Sequence, residues 1–97
     1  MTIRGFDWDK GNWPKCAKHG VSKADIEHVL QNQPMVRPDR TGGGEPRFNA
    51  IGRGAGGRYL FIAFALRGSA DRVTIRPISA RYMHLKEIIH YEQSQSA

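Results

Sequence analysis

The sequence contains a single cysteine, Cys16, so no disulfide can form within the chain, and one unpaired thiol is typical of a reducing compartment. It also lacks any apolar run long enough to cross a bilayer. The N-terminus does not show the basic and then apolar arrangement of a secretory signal. These absences predict a cytoplasmic protein that does not associate with membranes.

Acidic side chains are scarce in this chain. It has 9 Asp and Glu against 15 Lys and Arg, which gives a formal net charge of +6. Arginine supplies most of the positive charge, and its planar guanidinium suits phosphate and carboxylate groups. Such a surplus indicates an acidic partner, either a nucleic acid or an acidic protein. Alternatively, the charge only keeps a small protein in solution.

The patterns of a metal or nucleotide site are missing as well. The histidines show no short ligand spacing and no second cysteine is available; they are His19, His28, His84 and His90. The glycines at 42–44 lack the Gly-Lys-Ser/Thr ending of a phosphate-binding loop. Those between 52 and 57 fall in a predicted hairpin instead of before a helix. We therefore expect neither a bound metal nor a cofactor.

The length of 97 residues and a hydrophobic content of 39% predict one globular domain over residues 1–97, with a frayed polar end. The first strand is predicted at Ile3 to Trp8. A first helix follows, which Asn12 caps and which runs to His19. Gly20 then supplies a left-handed stop.

A second helix is predicted to begin after Ser22, its N-cap. Asp25 stands at the position of a capping box, and Val21 can pack onto Ile26 as a hydrophobic staple. Pro34 ends this helix because the residue before a proline disfavours helical geometry.

Four more strands and a closing helix complete the prediction, at Met35 to Asp39, Arg47 to Arg53, Tyr59 to Leu66, Val73 to Ser79, and Tyr82 to about Gln93. Pro38 places the first of these strands at an edge of the sheet. The run from Tyr59 is apolar at nearly every position and is typical of a central strand. The short turns favour antiparallel pairing, so the fold class is α+β: a small antiparallel sheet packed against two N-terminal helices and a C-terminal helix.

The closing helix carries the most suggestive group of polar side chains. Its apolar stripe of Leu85, Ile88 and Ile89 is expected to face the sheet. His84, Glu87 and Tyr91 then share another stripe, near Arg76 and Arg81. Cleaving RNA without a metal needs a base, an acid and cations for the developing charge, and this set supplies them. Alternatively, the stripe is a solvated face on which Glu87 pairs with Arg81 or Lys86.

Two other places offer candidates. The period of two puts Arg47, Asn49, Ile51 and Arg53 on one face of a strand, either as a basic wall or as a solvated face. Glu45 can pair with either arginine or act as a base. Lys18 and His19 end the first helix, where the terminus favours cations. His19 can also serve as a proton donor, since imidazole titrates near neutrality.

Three sequence motifs, in order along nearly the whole chain, resemble one family. The first is Phe6-Asp7-Trp8-Asp9-x-Gly11-Asn12, followed by spaced lysines and Lys18-His19-Gly20-Val21-Ser22. The second is Glu45-x-Arg47-Phe48-x-Ala50-Ile51-Gly52-Arg53. The third is Ile78-Ser79-Ala80-Arg81, with Glu87 and Tyr91 at the family's helix spacing. Together they resemble the BrnT toxins of bacterial type II toxin–antitoxin systems. The chain departs from the family pattern at Thr41 with its three glycines and at Pro77.

The resemblance implies a fold similar to that of the RelE toxins and a metal-independent endoribonuclease that stops translation by cutting RNA. It also implies neutralisation by a BrnA-like antitoxin with a ribbon-helix-helix part, in a heterotetramer that binds and represses its own operator DNA. Arg53 and Arg81 would bind phosphate, while His19, Glu45 or Glu87 would move protons. The remaining RNA-binding residues would be Lys18, Arg47, Arg76 and Tyr91. The alternative is a non-catalytic nucleic-acid-binding or interaction module that acts as a corepressor.

Overall fold

A computed structural model describes residues 3–39, 45–69 and 72–95 of the chain. Five strands form one sheet in the order β1-β5-β4-β3-β2. The elements are β1 (Ile3–Phe6), a 3₁₀ helix (Lys15–His19), α1 (Lys23–Gln31), β2 (Met35–Asp39), β3 (Arg47–Arg53), β4 (Tyr59–Ser69), β5 (Arg72–Tyr82) and α2 (Leu85–Gln95). The predicted α+β class is confirmed. The glycine loop at 42–44 and the frayed end at 96–97 lie outside the described residues.

The sheet is mixed, and the prediction of a purely antiparallel sheet is wrong at one edge. Strands β2 to β5 form the expected antiparallel meander, with β4 near its centre and β2 at an edge, as Pro38 predicted. Strand β1, however, pairs parallel to β5, with Phe6 opposite Ile75. Short turns dictate the pairing of strands that are neighbours in sequence. They dictate nothing for two strands separated by most of the chain.

The predicted first helix is only a five-residue 3₁₀ helix, so one α-helix precedes the sheet strands β2 to β5 instead of two. Asn12 does not cap it; Pro14 occupies the cap position, and Asn12 is buried and bonded elsewhere. Gly20 does adopt the predicted left-handed geometry, with φ of 84°. A proline in the first turn and a glycine at the end confine this helix to a single short segment.

Helix α1 begins as predicted, with the Ser22 hydroxyl accepting a hydrogen bond from the backbone N–H of Asp25. The carboxylate of Asp25 accepts a different bond, from the N–H of Ala55 at 2.9 Å. It therefore ties α1 to the turn between β3 and β4. Ile26 is fully buried in the core beneath α1, together with Leu60 and others of β3, β4 and β5.

Helix α2 is oriented against the prediction. Leu85 is 72% exposed and Ile89 is 46% exposed, Ile88 is half-buried, and the helix buries no residue completely. Its polar side turns to the sheet instead, because Glu87 binds Arg81 of β5. The helix also starts later than expected, since β5 continues to Tyr82. Neither helix of the described ranges is long and apolar enough to cross a membrane.

Candidate nucleic-acid interface and active site

One side of the sheet is packed against α1 and the 3₁₀ helix, and the other side carries most of the arginines of the strands. We call the second side the outer face. Residues opposite each other in register share a face, and Arg37, Asn49, Ala63 and Ser79 are linked in this way from β2 to β5. The arginines of the outer face are Arg37, Arg47, Arg53, Arg67, Arg72, Arg76 and Arg81, and its other polar members include Asp39, Asn49, Thr74 and Ser79.

A small cleft of about 150 Å³ lies at one end of the outer face. One carboxylate and four cations line it: Glu45, Lys15, Arg47, Arg67 and Arg76. The 3₁₀ helix contributes the lysine, and three different strands contribute the arginines. Glu45 lies 3.0 Å from the guanidinium of Arg67, not beside Arg47 or Arg53 as the sequence suggested. The cleft therefore places a potential base among groups that attract phosphate.

Arg76 is held firmly at the wall of this cleft. Its guanidinium donates two hydrogen bonds to Asp9, at 2.9 and 3.0 Å, and lies 3.3 Å from Asp7. The Arg76 guanidinium and the N–H of Gly11 lower the pKa of Asp9, while the same pairing raises that of Arg76. A Cβ at Gly11 would lie 2.9 Å from the Arg76 guanidinium and 3.0 Å from the Asp9 carboxylate, so a larger residue there would displace this pair.

Asn12 joins the first loop to β5. It is 3% exposed, and its side-chain amide donates to the carbonyls of Asp7 and Pro77, both at 2.9 Å. Its side-chain oxygen accepts from the N–H of Asp9 at 2.8 Å. The Gly-Asn pair of the opening motif thus shapes the loop that positions Arg76.

A second polar cluster lies at the other end of the outer face. Arg81 donates two hydrogen bonds to Glu87, at 2.7 and 2.8 Å, and its guanidinium lies 4.8 Å from the ring centre of Phe61. Glu87 also accepts from the backbone N–H of His84 at 2.9 Å. These bonds lower the pKa of Glu87 to about 2. Pairing of Glu87 with Arg81 was one of the two alternatives that the sequence left open.

This pair predicts a pH dependence of stability. The pKa of Glu87 is depressed in the folded chain, so its contribution is present above the ordinary value of 4.5 and is lost as pH falls towards 2. About a third of each side chain is exposed, so we expect no more than about 1 kcal/mol. The melting temperature of Glu87→Gln should lie below that of wild type at pH 6, and the difference should be much smaller at pH 2. An equal difference at both pH values would contradict the assignment.

Arg53 and two tyrosines extend the second cluster. Arg53 donates to the Tyr59 hydroxyl at 3.2 Å and lies 4.6 Å from the centre of its ring. Glu92 lies 4.0 Å from Arg53, and Tyr91 packs edge-on against Tyr59 with ring centres 5.4 Å apart. Arginines interleaved with aromatic rings are typical of surfaces that bind single-stranded nucleic acid.

Comparison with known families gives a match. The family model of the ribonuclease toxin BrnT, of type II toxin–antitoxin systems, matches residues 8–87. The chain belongs to the BrnT family. A search of curated proteins finds no match. The matched range contains the cleft and the Arg81–Glu87 pair, and membership of a type II system implies an antitoxin partner for this BrnT chain.

The residues predicted to be catalytic in this BrnT chain lie in three places. Glu45 lies in the cleft, whereas Arg53, Arg81 and Glu87 lie at the other end of the outer face. His19 is exposed at the end of the 3₁₀ helix. Of the predicted RNA-binding residues, those in the cleft are Arg47 and Arg76, whereas Tyr91 lies on α2 and Lys18 at the end of the 3₁₀ helix.

Two cations of the cleft, Lys15 and Arg67, were not predicted from the sequence. Lys15 is one of the spaced lysines of the first motif, and that spacing was the available signal. Arg67 gave none, because β4 was predicted to end at Leu66 but continues to Ser69. Cys16 faces the core, and burial raises the pKa of its thiol, as expected of a packed side chain and not of a nucleophile.

Proposed function

We propose that this BrnT chain is a metal-independent endoribonuclease that inhibits translation by cutting RNA in the cleft. The observation that carries the proposal is the position of Glu45, a carboxylate among four cations on an open sheet face. Arginine and lysine hold phosphate through charge-assisted hydrogen bonds and stabilise the charge that develops on its oxygens. Lys15 and Arg47 have no ion-pair partner among the residues that the structure describes.

The proposed reaction is an attack within the RNA strand. Glu45 takes the proton of a ribose 2′-hydroxyl, and that oxygen forms a bond to the adjacent phosphorus. The bond from phosphorus to the 5′-oxygen of the next nucleotide breaks, which leaves a 2′,3′-cyclic phosphate. The departing oxygen needs a proton, for which we propose His19. A 3₁₀ helix rises about 2 Å per residue, so His19 lies about 8 Å along the axis from Lys15 of the cleft, and the departing nucleotide would have to extend along this helix to receive its proton.

Glu87 is the weaker candidate for the base. A carboxylate with a pKa of about 2 binds protons poorly, and its oxygens already accept bonds from Arg81 and His84. We assign it the task of orienting Arg81. Arg81 and Arg53 would then contact phosphates outside the cleft, with Tyr91 and Lys18 at the margins of the RNA path. We also propose that the fold of this chain is similar to that of the RelE toxins.

The test is expression of the chain alone, followed by an assay of the purified protein. We expect growth arrest and RNA fragments with 2′,3′-cyclic phosphate ends, formed equally well in excess chelator. The physical reason is that the proposed base, acid and cations are all side chains of the protein. Cleavage that chelator abolishes and a divalent ion restores would contradict the metal-free reaction. Tight RNA binding without any cleavage would favour the non-catalytic corepressor.

The antitoxin is proposed to be a BrnA-like protein of the ribbon-helix-helix type that acts with this chain in the cytoplasm. An acidic protein that covers the outer face would exclude RNA and lower the positive potential of that face.

Coexpression of the protein from the neighbouring reading frame should restore growth. The purified complex should have the mass of two toxins with two antitoxins, and it should bind its own operator DNA. A complex that leaves RNA cleavage unchanged would contradict neutralisation by occlusion.

A further inference from the structure

A second concave region, the groove, lies between α2 and strands β2 to β4, away from the cleft. Its volume is about 330 Å³. Ile51 and Phe61 belong to an apolar floor, and Tyr91 and Ser94 to the wall that α2 provides. Arg37 and Lys86 also line it, and both are exposed. The groove therefore combines an apolar interior with cations at its rim.

The orientation of α2 creates this groove. The helix meets the sheet through the Arg81–Glu87 pair and through Tyr91, which packs on Tyr59. Leu85 and Ile89 of its apolar stripe are exposed, and Ile88 is half-buried. The α2 residues that line the space above Phe61 are Lys86, Glu87, His90, Tyr91 and Ser94, and none of them is an aliphatic hydrophobic residue.

The size and lining of the groove restrict which chemical group can bind in it. Its volume is at the low end of ligand pockets, which span about 300–1,000 Å³, so it suits one ring-sized group. Phe61 and Tyr91 offer aromatic surface on which a nucleobase can stack. Neither Arg37 nor Lys86 has an ion-pair partner among the described residues, so both can bind phosphates on either side of that base.

We propose that the groove binds an unstacked nucleobase of single-stranded RNA, a few nucleotides from the bond cut in the cleft. This inference rests on the proposed function and adds a determinant of substrate choice. Arg47 in the cleft and Ile51 in the groove lie on the same face of β3, four residues or about 13 Å apart. One extended strand of RNA can therefore reach both. Single-stranded RNA is the substrate class because a paired base would have to be unpaired and unstacked before it could enter the groove.

The test fills the groove without touching the cleft. The probe is a 12-nucleotide RNA, with a non-cleavable 2′-deoxy copy for binding measurements. Ser94→Trp should raise the dissociation constant of the copy about 10-fold, which corresponds to the loss of one stacked base. It should raise KM for cleavage similarly and leave kcat within two-fold. The matched control is Gln31→Trp, on an exposed position of α1, which should change neither constant.

The outcomes separate this inference from the proposed function. If wild type cuts no RNA but Ser94→Trp still weakens binding of the 2′-deoxy copy, the proposed function is contradicted and base binding in the groove is supported. If Ser94→Trp binds and cuts RNA like wild type, the groove proposal is overturned. If that variant instead loses affinity for the antitoxin while RNA kinetics stay unchanged, the groove belongs to the antitoxin. Lys86→Ala supplies a second, less bulky variant, for which we expect a smaller rise in the dissociation constant in the same direction.

Discussion

Glu45→Gln should lower the rate of RNA cleavage by about 10²–10⁴-fold, the usual contribution of a general base. The amide keeps the size of the carboxylate and can still accept a hydrogen bond from Arg67, so the fold should persist. Both partners are substantially exposed, which makes the pair weakly stabilising. The measurement is kcat on a defined RNA under saturating conditions, together with thermal unfolding. Expression of the variant alone should no longer arrest growth.

Glu27→Gln is the matched control for that experiment. Glu27 lies on α1, on the packed side of the sheet, where it accepts a bond from the indole N–H of Trp8 at 2.8 Å. Glutamine can still accept this bond, so cleavage should be unchanged. If Glu45→Gln retains the full rate, the base is another group, and the cleft then serves only to hold phosphate.

Asn12→Ala should lower the free energy of unfolding by about 2–4 kcal/mol, because it leaves three backbone groups without their partner in a buried place. Those groups are the carbonyls of Asp7 and Pro77 and the N–H of Asp9. For a chain of this length the melting temperature should fall by about 10–20 °C. Chemical denaturation monitored by circular dichroism measures the change directly.

The control here is Asn32→Ala at the end of α1. Asn32 is exposed, and its side-chain amide donates a hydrogen bond to the carbonyl of His28 at 2.6 Å. Water can replace that bond, so the loss should stay below about 1 kcal/mol. Equal losses for the two variants would mean that the Asn12 bonds contribute no more than a surface contact.

The sequence predicted best those features that neighbouring residues determine. Ser22 bonds to a backbone group three positions away, and Gly20 needs only its own freedom of φ. The bounds of β2 and β3 were predicted correctly for the same reason, since turn residues and prolines mark them locally. The features that position the cleft are different. Asn12 binds the carbonyl of Pro77, which lies 65 residues further along the chain.

The orientation of α2 shows the limit of hydrophobic periodicity. The stripe containing Leu85 and Ile89 correctly indicated an amphipathic helix. Which side meets the sheet was decided by a specific bidentate bond between Arg81 and Glu87, and a pattern of apolar residues contains no information about such a bond. The sequence likewise did not show that Arg47 lies in the cleft and Arg53 in the polar cluster at the other end of the outer face. Both arginines follow the same period of two along β3, and only the pairing of the strands shows which residues surround each of them.

Strand β2 also bears on how this chain behaves when it is freed from its antitoxin. An edge strand exposes backbone donors and acceptors to which a second copy could add its own strand. Pro38 has no N–H to offer, and the neighbouring Arg37 is exposed and charged. Two copies that approached edge to edge through β2 would each lack a backbone donor at Pro38. We therefore expect the liberated toxin to stay dispersed at high concentration, and Pro38→Thr to shift its sedimentation towards larger assemblies.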